Sequence, residues 1–585
     1  MNLYVILVGV IKMQEQTNYP RPQLRRDEYT TLDGYWDYGF SINKEIDDYD
    51  GKILVPYPPE SQKSGVERIL LPGNYFHYRR TFHLTKHAHQ RLLLHFEAVD
   101  AYCEVFLNGC FVGKHDGGYL PFSFDITNEI VEGENEIKVV VQDDTDYGNH
   151  ARGKQRLHHG GMYYTPVSGI WQTVWYEWVD EQHITDVLFK PDLQKQGVYL
   201  EVSTMGDLED VEVIIHQLDT KESTNYHIPA CQQAFIALKN IQLWSPDHPF
   251  LYDVELIYGH DHVTSYFGMR AFSQVEINGH HYMAINGKPI FHYGLLDQGY
   301  YQGTLMSPPS DEAVIKDLKL VKSLGFNTIR KHVKIENSRF YYHCDQLGIL
   351  VMQDMVNGGE RYDDQFVTVQ PNLFPALQSK RDDHNYIQMK RPDPDNRAAY
   401  YREVKETIEH LRHFVSIDTW VAFNEGWGQF DSQEVTGYIK KLDPERFVDS
   451  ASGWFDMKAG DFLSIHNYFR PLHLKKSQRI IILSEFGGMN YQIKNHFYGK
   501  KNYGYKRVSS RKDFMIAYRK LMIRDIMKNI PHGLAGSIYT QLSDIEDEVN
   551  GLITYDRQVV KCDQEIMRGI AQRIYGLFDR EVGNE

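Results

Sequence analysis

The sequence predicts two consecutive β-sandwich regions followed by a (β/α)₈ barrel. Three observations carry this. From about Tyr29 to Phe272 the chain reads as short apolar strands broken by turns. After Asn286-Gly287 strands begin to alternate with helices. Eight candidate strands follow over about 300 residues, the usual size of such a barrel.

In the first sandwich, 92–96 (LLLHF), 102–107 (YCEVFL) and 136–142 (EIKVVVQ) are short and partly alternating. Ile137, Val139 and Val141 face one way. Asn108-Gly109 between apolar runs predicts a hairpin turn, because both residues tolerate positive φ. The second region, about Ile184 to Phe272, has the length of a small immunoglobulin-like sandwich. The barrel strands are placed at 289–293, 326–330, 349–353, 419–423, 446–450, 462–466, 479–484 and 535–540. Between the first two, 311–324 sets Val314, Leu318 and Val321 on one helical face, and Gly325 stops the helix. A second helix is expected at 396–414. The fifth-to-sixth connection is too short for a long helix. The third-to-fourth connection holds about 40 residues of polar, Pro-containing sequence, roughly 356–395, expected to overhang the C-terminal face and shape the pocket, with a solvated, mobile insertion as the alternative. Domain limits are expected at 13–180, 181–275 and 276–585.

With 42% hydrophobic and 24% charged residues, the composition is that of a globular protein. The net charge of −16 disfavours nucleic acid and anionic membrane as partners. The five cysteines are scattered without a C-x-x-C, which fits a reducing, cytoplasmic setting and no zinc ribbon. The apolar run 3–11 is too short to span a bilayer and lacks a basic n-region, so Met13 is read as the start. An unusual signal or anchor is the alternative.

The chemistry sits at two strand ends. In 419–427 (TWVAFNEGW) an apolar run ends in Asn424-Glu425, and in 479–488 (RIIILSEFGG) Glu485 follows the longest aliphatic run. Two carboxylates on one barrel mouth are what glycoside hydrolysis requires. Gly426, Gly487 and Gly488 allow close backbone approach.

These motifs resemble glycoside hydrolase family 2, which holds β-galactosidases, β-glucuronidases and β-mannosidases. The resemblance extends over 34–40 (GYWDYGF), 105–109 (VFLNG) and 168–175 (SGIWQTVW), similar to the family's N-terminal jelly roll, and over 423–427 (FNEGW) and 484–487 (SEFG). It implies Glu425 as general acid/base, Glu485 as nucleophile, retention of configuration, a carbohydrate substrate and no organic cofactor. It further implies Asn424 on the sugar 2-hydroxyl and Tyr468 beside the nucleophile. Arg330 and His332 are expected in the sugar site, with structural ion pairing the alternative for Arg330. Asp297 is expected on sugar hydroxyls, with a solvated loop acid as the alternative. Tyr539 stands where relatives place a stacking Trp, with a core role as the alternative. Asp354 and Trp454 also fall near strand ends and carry no assignment. No cluster has clear metal-ligand spacing, the metal ligands of some β-galactosidases of the family do not map cleanly onto the chain, and a homo-oligomer stays open.

Three departures bear on the sugar. Tyr163 stands near the position of an Asp in many relatives. Leu296-Asp297-Gln298 replaces an Arg-His-Glu cluster after strand one. Glu548-Val549-Asn550 stands where β-glucuronidases carry an Asn-x-Lys pair. An acid in place of that Lys predicts a neutral sugar, with β-galactoside as the default. A β-glucuronidase or β-mannosidase, a transglycosylase, and a catalytically silent carbohydrate-binding protein are the alternatives.

Overall fold

The computed structural model describes residues 19–217, 222–373 and 381–583. The apolar run 3–11 and Met13 lie outside the described residues.

The first region packs a four-stranded sheet (Tyr29–Thr31, Val174–Asp180, Gln90–Phe96, Phe122–Asp125) on a six-stranded one. The six-stranded sheet has Tyr75–Leu84 and Gly133–Gln142 at its centre. Alternation does what the sequence predicts: Ile137, Val139 and Val141 are buried between the sheets. Asn108 and Gly109 turn at φ +52° and +81°, joining Tyr102–Leu107 to Cys110–Asp116. The second region is a smaller sandwich of three and four strands, from His183–Asp192 to Asp261–Phe267. A ribbon, Phe272–Ile277 and His280–Ile285, then leads into the barrel, where Tyr282 packs edge-on against Phe578 of the last helix.

The barrel strands are β1 (His292–Asp297), β2 (Thr328–Lys331), β3 (Leu350–Asp354), β4 (Ile417–Val421), β5 (Phe447–Asp449), β6 (Phe462–Asn467), β7 (Ile480–Phe486) and β8 (Leu534–Tyr539). All pairings between them are parallel, in the order β5-β4-β3-β2-β1-β8-β7-β6. β5 and β6 are not paired, so the barrel is nearly closed. The segment joining them, 450–461, carries no helix, as its shortness predicts. Strand one begins three residues later than expected. Lys288–Pro289 pairs instead with Ala284 and Ile285 of the entry ribbon, and from His292 on the chain pairs with β8.

The helix α1 (Asp311–Ser323) is capped by Ser310, whose Oγ accepts from the Ala313 N–H, and Gly325 follows at φ +91°. It buries Val314, Leu318 and Val321 against the barrel. The helix expected at 396–414 spans Pro394–Leu411.

Much of the insertion 356–395 is packed down. Tyr362, Phe366, Val367 and Met389 join Tyr163, Trp427, Trp454 and Phe455 in a separate apolar cluster. Arg156 of the first sandwich pairs with Asp364 at 2.9 Å, and the Trp454 Nε1–H donates to the Val367 carbonyl at 2.9 Å. The described part of the insertion therefore joins the jelly roll to the barrel mouth. Phe366→Ala, which hollows this cluster, should raise KM by about tenfold, or ~1.4 kcal/mol, with a smaller change in kcat. An unchanged KM would mean that the segment has no part in shaping the pocket.

Candidate active site

Glu425 stands four residues beyond β4. The turn is pinned to the neighbouring loop: the Glu425 N–H donates to the Ser452 carbonyl and the Ser452 N–H to the Phe423 carbonyl, each at 2.8 Å. Glu425 itself adopts φ +49°, which costs an L-residue about 1 kcal/mol or more. Gly426 follows at φ +72°, and a Cβ there would lie 2.2 Å from the Phe455 ring. Glycine is required at that position, and the strained turn sends the Glu425 carboxylate into the barrel mouth.

Glu485 is the penultimate residue of β7, a fully buried strand. Register shifts flank it on both sides, between Ser464 and His466 towards β6 and between Leu483 and Phe486 towards β8. Such irregularities re-aim side chains at strand ends. The Tyr468 hydroxyl donates to Glu485 Oε2 at 2.6 Å and lies 3.3 Å from Glu425 Oε1. His466 Nδ1 is 2.8 Å from Glu425 Oε1, and its Nε2 is 2.9 Å from Ser452 Oγ and 3.7 Å from Glu485 Oε1. One oxygen of each glutamate and one His466 nitrogen all lie within 4.8 Å of one another.

Beneath the glutamates lies Arg330, the third residue of β2, with none of its side chain exposed. It donates to both Asp354 oxygens (2.9 and 3.0 Å), to Glu485 Oε1 (3.2 Å) and to Asn424 Oδ1 (2.9 Å). Bound to Asn424 Oδ1, the guanidinium orients that amide so that Nδ2 remains the free donor. His332 Nδ1 is 2.9 Å from Asp354 Oδ2.

Burial alone would raise the Glu485 carboxyl, but His466, His332, Arg330 and Lys154 together outweigh it and bring it down to about 2. Asp354 is likewise held low by Arg330 and His332 against the effect of burial. Burial lowers His332, against Asp354 and Glu485, which favour its charged form. Burial and the two glutamates push the Tyr468 phenol well up, so it stays a donor. The cationic neighbours thus favour the ionised form of Glu485.

The glutamates open on a cavity whose walls include His332, Asn424, Trp427, Tyr468, Tyr505 and Glu548. Lys154 and Met162 reach it from the jelly roll, and Thr368 and Asn372 from the insertion. Of the residues expected in the site, Glu425, Glu485, Asn424, Tyr468 and His332 line this cavity, and Arg330 supports it from below.

Asp297 and Tyr539 do not reach it. Asp297 pairs with Lys331 at 2.6 Å and accepts from the Gly299 N–H at 3.0 Å, so it is committed to the barrel wall. Tyr539 ends β8 pointing into the core, between Phe486 and Tyr518, and Thr540 takes the place at the cavity. Tyr163 stacks on Trp427 and donates to Asp364 at 2.7 Å. His466, Asp354, Tyr505 and Lys154 are additional site residues. Parity signals the first: Ser464 and His466 alternate along β6 towards the barrel interior, and Tyr468 follows just beyond its end. Nothing local in the sequence signals Lys154.

Models of three domains match the chain: the glycosyl hydrolase 2 galactose-binding domain-like model at 67–173, the glycosyl hydrolases family 2 model at 182–270, and the family 2 TIM barrel model at 275–561. A β-galactosidase of Thermoanaerobacter pseudethanolicus is 29% identical over 295 residues, 48% of this chain and 39% of that protein. A putative β-glucuronidase of Formosa agariphila is 28% identical over 274 residues, 45% of this chain and 32% of that protein. The chain thus spans about two-fifths or less of these relatives' length. The solved structure of a β-glucuronidase from an uncultured Clostridium sp. superposes with a TM-score of 0.72 at 18% identity, covering 94% of this chain and 99% of that one, which shows the shared fold. With its jelly roll, immunoglobulin-like sandwich and barrel in this order, the chain belongs to glycoside hydrolase family 2.

Proposed function

We propose that the protein is a retaining exo-β-glycosidase that releases a terminal β-linked sugar by double displacement. The observation that carries this reading is the approach of Glu425 and Glu485 to within 4.8 Å, oxygen to oxygen. Retaining enzymes hold their carboxyl groups closer, about 5–5.5 Å apart, than inverting enzymes, which need about 6.5–9.5 Å to admit a water, and a single Tyr468 hydroxyl within 3.3 Å of both glutamates fits the closer spacing.

Glu485, kept ionised by its cationic neighbours and oriented by Tyr468, attacks C1. Glu425 donates a proton to the leaving oxygen, then removes one from the water that releases the sugar. The second role follows from microscopic reversibility. Asn424, its Oδ1 held by Arg330, offers Nδ2 to a sugar hydroxyl. A cavity walled by the jelly-roll loop and the insertion supports action at a chain end. The five cysteines, all unpaired, support a cytoplasmic setting.

We further propose a neutral sugar, with β-galactoside as the default. Glu548 is buried on the cavity wall, accepting from the Tyr164 and Tyr505 hydroxyls, and would repel a sugar carboxylate. One observation favours an anionic sugar instead. The Lys154 ammonium lies 5.5 Å from the Tyr164 ring centre and 5.8 Å from that of Trp427, and among the described residues no carboxylate lies within 4.0 Å of it. A panel of nitrophenyl β-galactoside, β-glucuronide, β-mannoside, β-glucoside and β-N-acetylhexosaminide decides between them. The expected result is that a neutral glycoside has the highest kcat/KM. A glucuronide ahead of every neutral sugar would overturn the neutral reading, and no turnover of any of them would overturn the glycosidase.

A further inference from the structure

The loop that delivers Lys154 and Met162 to the catalytic cavity leaves the jelly roll at the end of the strand Gly133–Gln142 and returns at Gly169–Ile170. Three side chains from separate segments meet at its root. Asp100 ends the short strand Val99–Asp100, Asp143 follows Gln142, and His150 lies in the loop itself. One donor atom from each lies within 4.8 Å of the other two, so the three side chains could share one ion. His150 Nε2 is 3.3 Å from Asp143 Oδ1.

We propose that Asp100, Asp143 and His150 bind a divalent transition-metal ion, Zn²⁺ or Mn²⁺ by their donor set, which fixes the root of the loop that covers the barrel mouth.

Asp100 is 1% exposed and Asp143 3%. Two carboxylates this close repel in a dry interior, and one imidazolium neutralises only one of them. Their surroundings are built to orient rather than to neutralise. Asp143 accepts from the Thr145 N–H (2.7 Å), Thr145 Oγ1 (3.2 Å) and Ser168 Oγ (2.9 Å), and Asp100 Oδ2 accepts from Gln155 Nε2 (2.8 Å). Such bonds from neighbouring groups are what hold metal ligands in place.

Asp100 Oδ1, by contrast, is buried without a hydrogen-bond partner. The Asp100 carboxylate packs over Gly118, where a Cβ would lie 2.2 Å from that oxygen, so only glycine fits there. The imidazole suits Zn²⁺ and the two carboxylates also suit Mn²⁺, whereas Ca²⁺ and Mg²⁺ prefer oxygen throughout. The competing arrangement has no ion and a proton on Asp100, whose carboxyl burial and the Asp143 charge push up to about 8. Separations of 43 and 7 residues match no metal-binding spacing, so the trio exists only in the folded chain.

Elemental analysis of the protein purified without chelator should find roughly one Zn²⁺ or Mn²⁺ per chain. Dialysis against chelator should lower Tm by at least about 2 °C, and Zn²⁺ or Mn²⁺, but not Mg²⁺, should restore it. His150→Gln and Asp143→Asn should lose both the ion and the response to chelator. His466→Gln, which breaks the donor trio at the glutamates, should keep both. No stoichiometric ion together with no Tm response to either metal would overturn the proposal. So would an ion that survives in His150→Gln, or one lost only from His466→Gln. If the loop-root variants do not fold, chelation and re-addition on the unaltered chain still decide the matter.

Discussion

Glu485→Ala is expected to lose roughly 10⁵-fold or more of kcat on every substrate, because no leaving group compensates for a missing bond to C1. Glu425→Ala should behave differently. Glu425 supplies a proton, and the need for it falls as the leaving group becomes more acidic. The variant should therefore cleave a dinitrophenyl glycoside far better than an alkyl one, with a difference of about 10²–10⁴-fold. Its slow step should become deglycosylation, since the base is also gone. Azide needs no base, so it should speed turnover and yield the β-glycosyl azide. The geometry supports the same proposed roles: Glu485 is the carboxylate surrounded by Arg330, His332, His466 and the Tyr468 hydroxyl. A β-azide product from Glu485→Ala, with Glu425→Ala inert, would reverse the assignment.

Arg330→Ala should be nearly as damaging, and for stability as well as rate. The guanidinium is the fully buried cation bonded to Asp354, Glu485 and Asn424. Removing one partner of a buried ion pair costs about 3–5 kcal/mol, because the remaining charges stay buried and uncompensated. That is a large part of the total stability of an ordinary domain, so denaturant unfolding should show it directly. The sign of the pH effect also follows. A carboxylate is ionised above its pKa, and Glu485 is held near 2, below its ordinary value of 4.5. Without Arg330 it rises towards 4.5, so the acid limb of kcat/KM should move to higher pH. Arg330→Lys keeps one charge but cannot serve three acceptors in fixed directions, so it should recover only part of either loss. An Arg330→Ala protein with unaltered stability and an unmoved acid limb would show that the guanidinium is a bystander.

What was legible in advance was whatever the chain writes locally. Barrel strands announce themselves as aliphatic runs, and the two glutamates stand directly after the two clearest of them. Asn424, Tyr468, Arg330 and His332 share that property, each lying in or just beyond a strand whose C-terminal end forms the mouth. The same logic misplaced Asp297 and Tyr539, because adjacency to a strand end does not decide which way a side chain points. Asp297 turns to Lys331 at the wall, and Tyr539 falls on the core side of β8. Strand one was read three residues early because Ile290 and Phe291 are as apolar as the strand, while pairing with β8 begins at His292.

The sequence by itself determined the order of the three domains, the place of the two glutamates at strand ends and the presence of an insertion over the mouth. These depend on periodicity and on residues adjacent in the chain. Only the tertiary structure decided that Arg330 ties Glu485 to Asp354 and Asn424, and that His466 bridges towards both glutamates. It also brought Lys154 across from the jelly roll, packed Tyr163 on Trp427, and gathered Asp100, Asp143 and His150 at one loop root. Each of these contacts joins residues that are separated along the chain but brought within a few ångströms by strand register and domain packing. Register and packing are properties of the folded whole, and no window along the sequence contains them.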